Sequence, residues 1–145
     1  MTQPALFIAA LGLISAAYAE QLVRFGDIEA HYVVLASTRI KPEIAEQHGI
    51  VRGHDRALVN IALRDTNIAG DAMAAAIPGR LSGTATNLLG QVTELRFREV
   101  REDEAIYYLA MLLHTDEEIF RFDIEIRIQG QAPQHLRFQQ KLYVE

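Results

Sequence analysis

Cysteine is absent from all 145 residues. That excludes a disulfide framework, a thiol nucleophile and a lipid-bearing N-terminal Cys. Basic clusters are absent too. The 12 Arg and two Lys are interspersed with acids under a net charge of −5, whereas phosphate backbones call for a basic face. No nucleic acid is expected as a partner. A second long apolar run is also missing; the longest after the N-terminus, Ala105 to Leu113, has the length of a strand.

The signatures of common chemistries are missing as well. The five histidines, His31, His48, His54, His114 and His135, show no H-x-H or H-x-x-x-H spacing, and a zinc site needs three or four converging ligands. Ser82 precedes Gly83 but has no Gly-x-Ser-x-Gly frame around it. Gly79 and Gly83 are not followed by a helix N-terminus that could cradle phosphate. Two acidic turns, Glu102-Asp103-Glu104 and Asp116-Glu117-Glu118, bracket a strand and lie ~30–40 Å apart at its ends. They cannot share one calcium ion, and neither has calcium-loop spacing. No catalytic residue, metal or cofactor is therefore expected. The alternative is a hydrolase-type enzyme whose Ser–His pair meets only in space.

What is present begins with residues 5–17, an uncharged run rich in Ala, Leu and Ile that ends in Ala17-Tyr18-Ala19 before Glu20. An apolar stretch of this length with an A-x-A end is the pattern of a secretory signal peptide, and it is shorter than the ~20 residues a spanning helix needs. Cleavage is expected near Ala19/Glu20, although residues 1–4 carry no Lys or Arg. The expectation is a signal peptide over 1–19 and a single exported domain over 20–145 with no stable membrane anchor.

That domain reads as all-β. Residues 119–128, IFRFDIEIRI, alternate without error: Phe120, Phe122, Ile124, Ile126 and Ile128 on one face, Arg121, Asp123, Glu125 and Arg127 on the other. Residues 136–144 repeat the pattern, with Leu136, Phe138, Leu142 and Val144 inward and Gln140 as the exception. Further strands are predicted at 28–36, 57–65, 92–100 and 105–114. Residues 101–104 and 115–118 read as charged hairpin connections, and 130–134 as a Gly/Pro turn. The last four strands should form a meander or cross between two sheets. One helical turn is predicted over 41–49, with Pro42 at its start and Gly49 past its end. The fold expected is an immunoglobulin-like antiparallel β-sandwich, with a small barrel as alternative. Residues 66–91 allow either a short helix between Asp71 and Pro78 or a bent edge strand with bulges.

The ordered set RALVNIAL (56–63), SGTATNLLGQ (82–91), LRFREVRE (95–102), AIYYLA (105–110) and FRFDIEIRI (120–128) resembles a bacterial domain-of-unknown-function family of small exported proteins, found chiefly in gammaproteobacteria. NLLGQ and EAIYY are its most distinctive pieces. The resemblance implies a periplasmic immunoglobulin-like sandwich with no established activity, and a strand over 73–87. The matching polar positions are Asn60, Asn87, Gln91, Tyr107 and Tyr108, to which it attaches no role.

These readings favour a non-catalytic binding or protein-interaction module of the cell envelope, serving an unidentified protein partner or small ligand, with a homodimer among the outcomes. A chaperone-like module that pairs a sheet edge with a client strand is a further alternative. Asn87 and Gln91 are candidates either as structural caps of a bend beside Gly90 or as ligand donors near Tyr107 or Tyr108. Leu109 and Met111 are candidates because 105–113 is apolar on both faces and a sandwich core takes only one. Something must cover the second face: residues 66–90 folded across it, a second subunit or a partner.

Overall fold

The computed structural model describes residues 20–68 and 75–145; the expected signal peptide and the Asp71 helix cap lie outside them. Among the described residues, ten strands form two antiparallel sheets. The first holds β1 (Gln21–Phe25), β2 (Ile28–Ala36), β3 (Arg56–Asp65), β8 (Ala105–Leu113) and β7 (Arg98–Glu102) in that order. A two-residue β4 (Ala75–Ala76) pairs with Arg64 and Asp65 of β3, in line with β8. The second sheet runs β10 (Gln134–Leu142), β9 (Glu118–Arg127), β5 (Arg80–Asn87), β6 (Val92–Leu95). The sheets do not close on each other. This is the expected β-sandwich, not the barrel.

The inward alternation of β9 is as predicted: Phe120, Phe122, Ile124 and Ile126 are buried against Val59, Ile61 and Leu63 of β3 and Ile106, Ala110 and Leu112 of β8. Phe122 stacks on Phe138, ring centroids 4.6 Å apart. Gln140, the exception in β10, does face inward, and its Nε2 donates to the Val34 carbonyl at 3.0 Å, tying the sheets together. Val144 does not; it lies beyond β10 and is exposed.

Three connections differ from expectation. Residues 92–100 are two strands, not one, because the chain leaves the second sheet at Leu95 and joins the first at Arg98. Residues 115–118 are not a hairpin; they carry the chain from β8 in one sheet to β9 in the other. Residues 80–87 form an inner strand rather than an edge, paired with β9 on one side and β6 on the other. Its approach to β9 is close: a Cβ on Gly83 would stand 2.5 Å from the Asp123 carbonyl oxygen, which only glycine avoids.

The second apolar face of β8 is covered from within, and no described residue of 66–90 belongs to that cover; residues 69–74 lie outside the described residues. A 3₁₀ turn (Ser37–Arg39), a six-residue helix α1 (Pro42–Gln47) and Ile50 lie over it. Ile40, Ala45 and Ile50 pack with Val33, Leu35, Leu58, Tyr107 and Leu109 in a second buried cluster. Ser37 and Gly53 close the cover reciprocally, the Ser37 hydroxyl donating to the Gly53 carbonyl and accepting from its N–H, both at 3.0 Å. His48, at the end of α1, pairs with Glu102 of β7, both side chains nearly enclosed. Among the described residues no helix is long and apolar enough to cross a membrane.

Candidate functional site

The turn between β5 and β6 is organised by one side chain. Asn87 is 5% exposed. Its Oδ1 accepts the N–H groups of Leu89 (3.1 Å) and Gln91 (2.8 Å), and its Nδ2 donates to Gln91 Oε1 (2.7 Å) and Glu118 Oε2 (2.8 Å). The backbone adds Asn87 N–H to the Gln91 carbonyl at 3.1 Å and Gly90 N–H to the Asn87 carbonyl at 3.0 Å. Gly90 supplies the positive φ, +84°, that the return requires. An Asx side chain that mimics a backbone turn is a familiar local device; here it also reaches across to β9. Burial pushes the Glu118 carboxyl up, but hydrogen bonds from Asn87, the Thr115 N–H and the Thr115 hydroxyl outweigh it and hold the group below its ordinary value.

With its polar groups turned inward, the turn sends its leucines out. Leu88 is 68% and Leu89 85% exposed, and Val92 follows at 64%. Their neighbours at this end are also apolar. Asn87 pairs with Phe120, and Leu142 with Glu118, so the end of β10 lies beside the turn. Tyr143 and Val144 follow it, both exposed. Leu113, exposed as well, ends β8 just before the crossing to β9. Six of the nine exposed large hydrophobics among the described residues thus lie toward one end of the sandwich, Leu113 on the outer side of the first sheet and Val92 on that of the second.

The other candidate residues lie elsewhere. Tyr108 faces the inter-sheet core; its hydroxyl accepts the Gly79 N–H at 2.8 Å and donates to Glu99 at 3.0 Å. Desolvation raises its pKa. Hydrogen bonds from Arg101 and then Tyr108 hold the Glu99 carboxyl below its usual range. Gly79 and Asn87 stand at opposite ends of β5, roughly 25 Å apart at ~3.3 Å per residue. Asn87 and Gln91 therefore share no site with Tyr108. Tyr107 and Leu109 are sealed beneath the 37–50 cover, where burial raises the Tyr107 pKa. Met111 is half-buried at the rim of that cover, in a shallow groove with Ile50 and Arg98.

Sequence reasoning missed Glu118 as the partner of Asn87, and Leu88 and Leu89 as exposed groups. The signal for the leucines was their place: two consecutive large apolar residues directly before a turn glycine cannot both face a core.

The family model for DUF4426, a domain of unknown function, matches residues 22–145. The chain belongs to that family. Another member, PA0388 from Pseudomonas aeruginosa PAO1, has a crystal structure that is 29% identical over 87% of this chain and 96% of its own, with a TM-score of 0.74. This chain also shares its fold with FetP of uropathogenic Escherichia coli strain F11, recombinantly expressed in the periplasm. FetP is 13% identical over 88% of this chain and 96% of its own, at a TM-score of 0.61. A copper-bound variant of FetP gives 14%, 88%, 97% and 0.62. At these identities the likeness to FetP concerns the fold. Among the described residues of this DUF4426 chain, no group of three or more His, Cys, Asp or Glu side chains is placed to hold a metal ion. No curated protein matches the chain.

Proposed function

We propose that this DUF4426 chain is a non-catalytic interaction module of the periplasm, and that the apolar end of its sandwich docks a protein partner. The observation that carries the reading is the Asn87-held turn, which spends its polar groups internally and leaves Leu88 and Leu89 in water. Burying each leucine in a partner's pocket is worth roughly 1.5–3 kcal/mol. A pre-formed turn loses little conformational freedom on docking, so more of that gain is kept as affinity. Adjacent exposed apolar side chains such as Leu88 and Leu89 mark interaction sites more often than do single scattered ones. Export to the periplasm is supported by the apolar run ending in Ala17-Tyr18-Ala19 and by the periplasmic expression of FetP, which has the same fold. Photo-crosslinking in cells from position 89 tests the reading, with a residue in the opposite β9–β10 turn as control.

A further inference from the structure

The outer face of the second sheet carries a row of basic side chains, most of them matched with acids. Arg127 pairs with Glu125 at 2.8 Å, Arg137 with Asp123 at 3.2 Å and Lys141 with Glu117 at 3.2 Å. Arg121 has no carboxylate partner among the described residues. It stands mid-strand on β9, directly opposite Thr86 of β5 and Gln139 of β10. The adjacent row is Thr84, Asp123 and Arg137. These six side chains line an open groove of about 500 Å³.

The groove is rich in uncommitted donors. Neither the Thr84 and Thr86 hydroxyls nor the Gln139 amide makes a hydrogen bond among the described residues, whereas Asp123 is occupied by His135 (3.0 Å) and Arg137. Arg121 and Arg137 against Asp123 leave a local charge of about +1 at neutral pH. Directly opposite positions on neighbouring strands bring side chains within ~5.5 Å, so one ligand a few ångströms across can touch all three strands.

We propose that this groove binds a small oxyanion of the phosphate-ester class. The Arg121 guanidinium presents its planar fork to two oxygens, and the Thr84 and Thr86 hydroxyls and Gln139 Nε2 donate to the rest. The site is independent of the docking end. Two sources carry this chemistry, a soluble phosphate ester and the headgroup of an anionic lipid, and the test separates them.

The soluble arm titrates the ¹⁵N-labelled domain with glycerol 3-phosphate; the lipid arm measures co-sedimentation with phosphatidylglycerol vesicles. Saturable shifts of amides in 84–86, 121–123 and 137–139 are expected in the first arm if the ester is soluble. Arg121-dependent sedimentation without those shifts identifies the lipid headgroup. In whichever arm binds, Arg121→Gln should weaken affinity about tenfold or more, the loss of a charge-assisted contact. Arg121→Lys should recover part of it, and the Thr84→Ala/Thr86→Ala pair should cost several-fold. Arg121 is exposed, so the variant is expected to keep a dispersed native spectrum. Binding in neither arm, or equal affinity for Arg121→Gln and the parent chain, overturns the proposal.

Discussion

Replacing Asn87 by Ala removes the side chain that holds the β5–β6 turn. Four hydrogen bonds go with it: two accepted from the N–H groups of Leu89 and Gln91, one donated to Gln91 and one to the Glu118 carboxylate. They are unequal. Leu89 and Gln91 are exposed, so their freed N–H groups turn to water and each bond costs only about 0.5 kcal/mol. Glu118 is half-buried, and losing a donor to its charge costs about 1.5 kcal/mol. These three come to about 2.5 kcal/mol, and the bond to the exposed Gln91 side chain, which water replaces, adds little. Urea unfolding reads this as a fall in midpoint of about 1 M at unchanged slope, taking an m of ~2 kcal/mol/M. Asn87→Asp sharpens the test. It keeps both N–H contacts but sets a second carboxylate against Glu118, so it should be less stable than Asn87→Ala at neutral pH and recover on mild acidification. A loss below about 0.5 kcal/mol for Asn87→Ala would refute the idea that this side chain organises the turn.

Charging the two ends of the outer strip on β8 should give opposite results. Leu109→Asp puts a carboxylate beneath the 37–50 cover, where Leu109 is 4% exposed, and should unfold the domain by circular dichroism. Leu113→Asp, at a position 60% exposed, should shift the melting temperature little. The Glu118 carboxyl is lowered in the folded state. Its contribution is therefore present above its unfolded value, ~4.3, and lost as pH falls through the folded one. Glu118→Gln should flatten the acid limb of the stability–pH curve by up to about one proton; an unchanged limb would show that the group is not held by Asn87 and Thr115.

The parts legible in the sequence were those that depend on one strand at a time. Residues 119–128 show which side faces the core because alternation needs no knowledge of the partner strand. The break at Arg96–Phe97 was hidden for a related reason. Leu95 ends β6 and Phe97 lies in the link before β7, yet both pack on the same core, so the inward rhythm continues across the jump. The doubly apolar 105–113 announced that a cover exists, but not its identity. That role fell to Ile40, Ala45 and Ile50, too few and too scattered to give a period of their own. Of the candidate residues, Asn87 and Gln91 were readable as a capped bend from their spacing to Gly90. Glu118, 31 residues from Asn87, could be joined to it only by the pairing of β5 with β9.

The most direct measurement on the docking end is in-cell crosslinking with a photoreactive residue at position 89. A parallel probe at Gln131, exposed in the β9–β10 turn, serves as control. The proposed role calls for a discrete adduct of one mass from position 89, absent at Gln131 and abolished when Leu88 and Val92 are both changed to Ser. Sedimentation of the purified domain would assign an adduct of twice the chain mass to a second copy rather than a foreign partner. Indiscriminate adducts at both positions, or none at 89 in a correctly exported and folded protein, would contradict it.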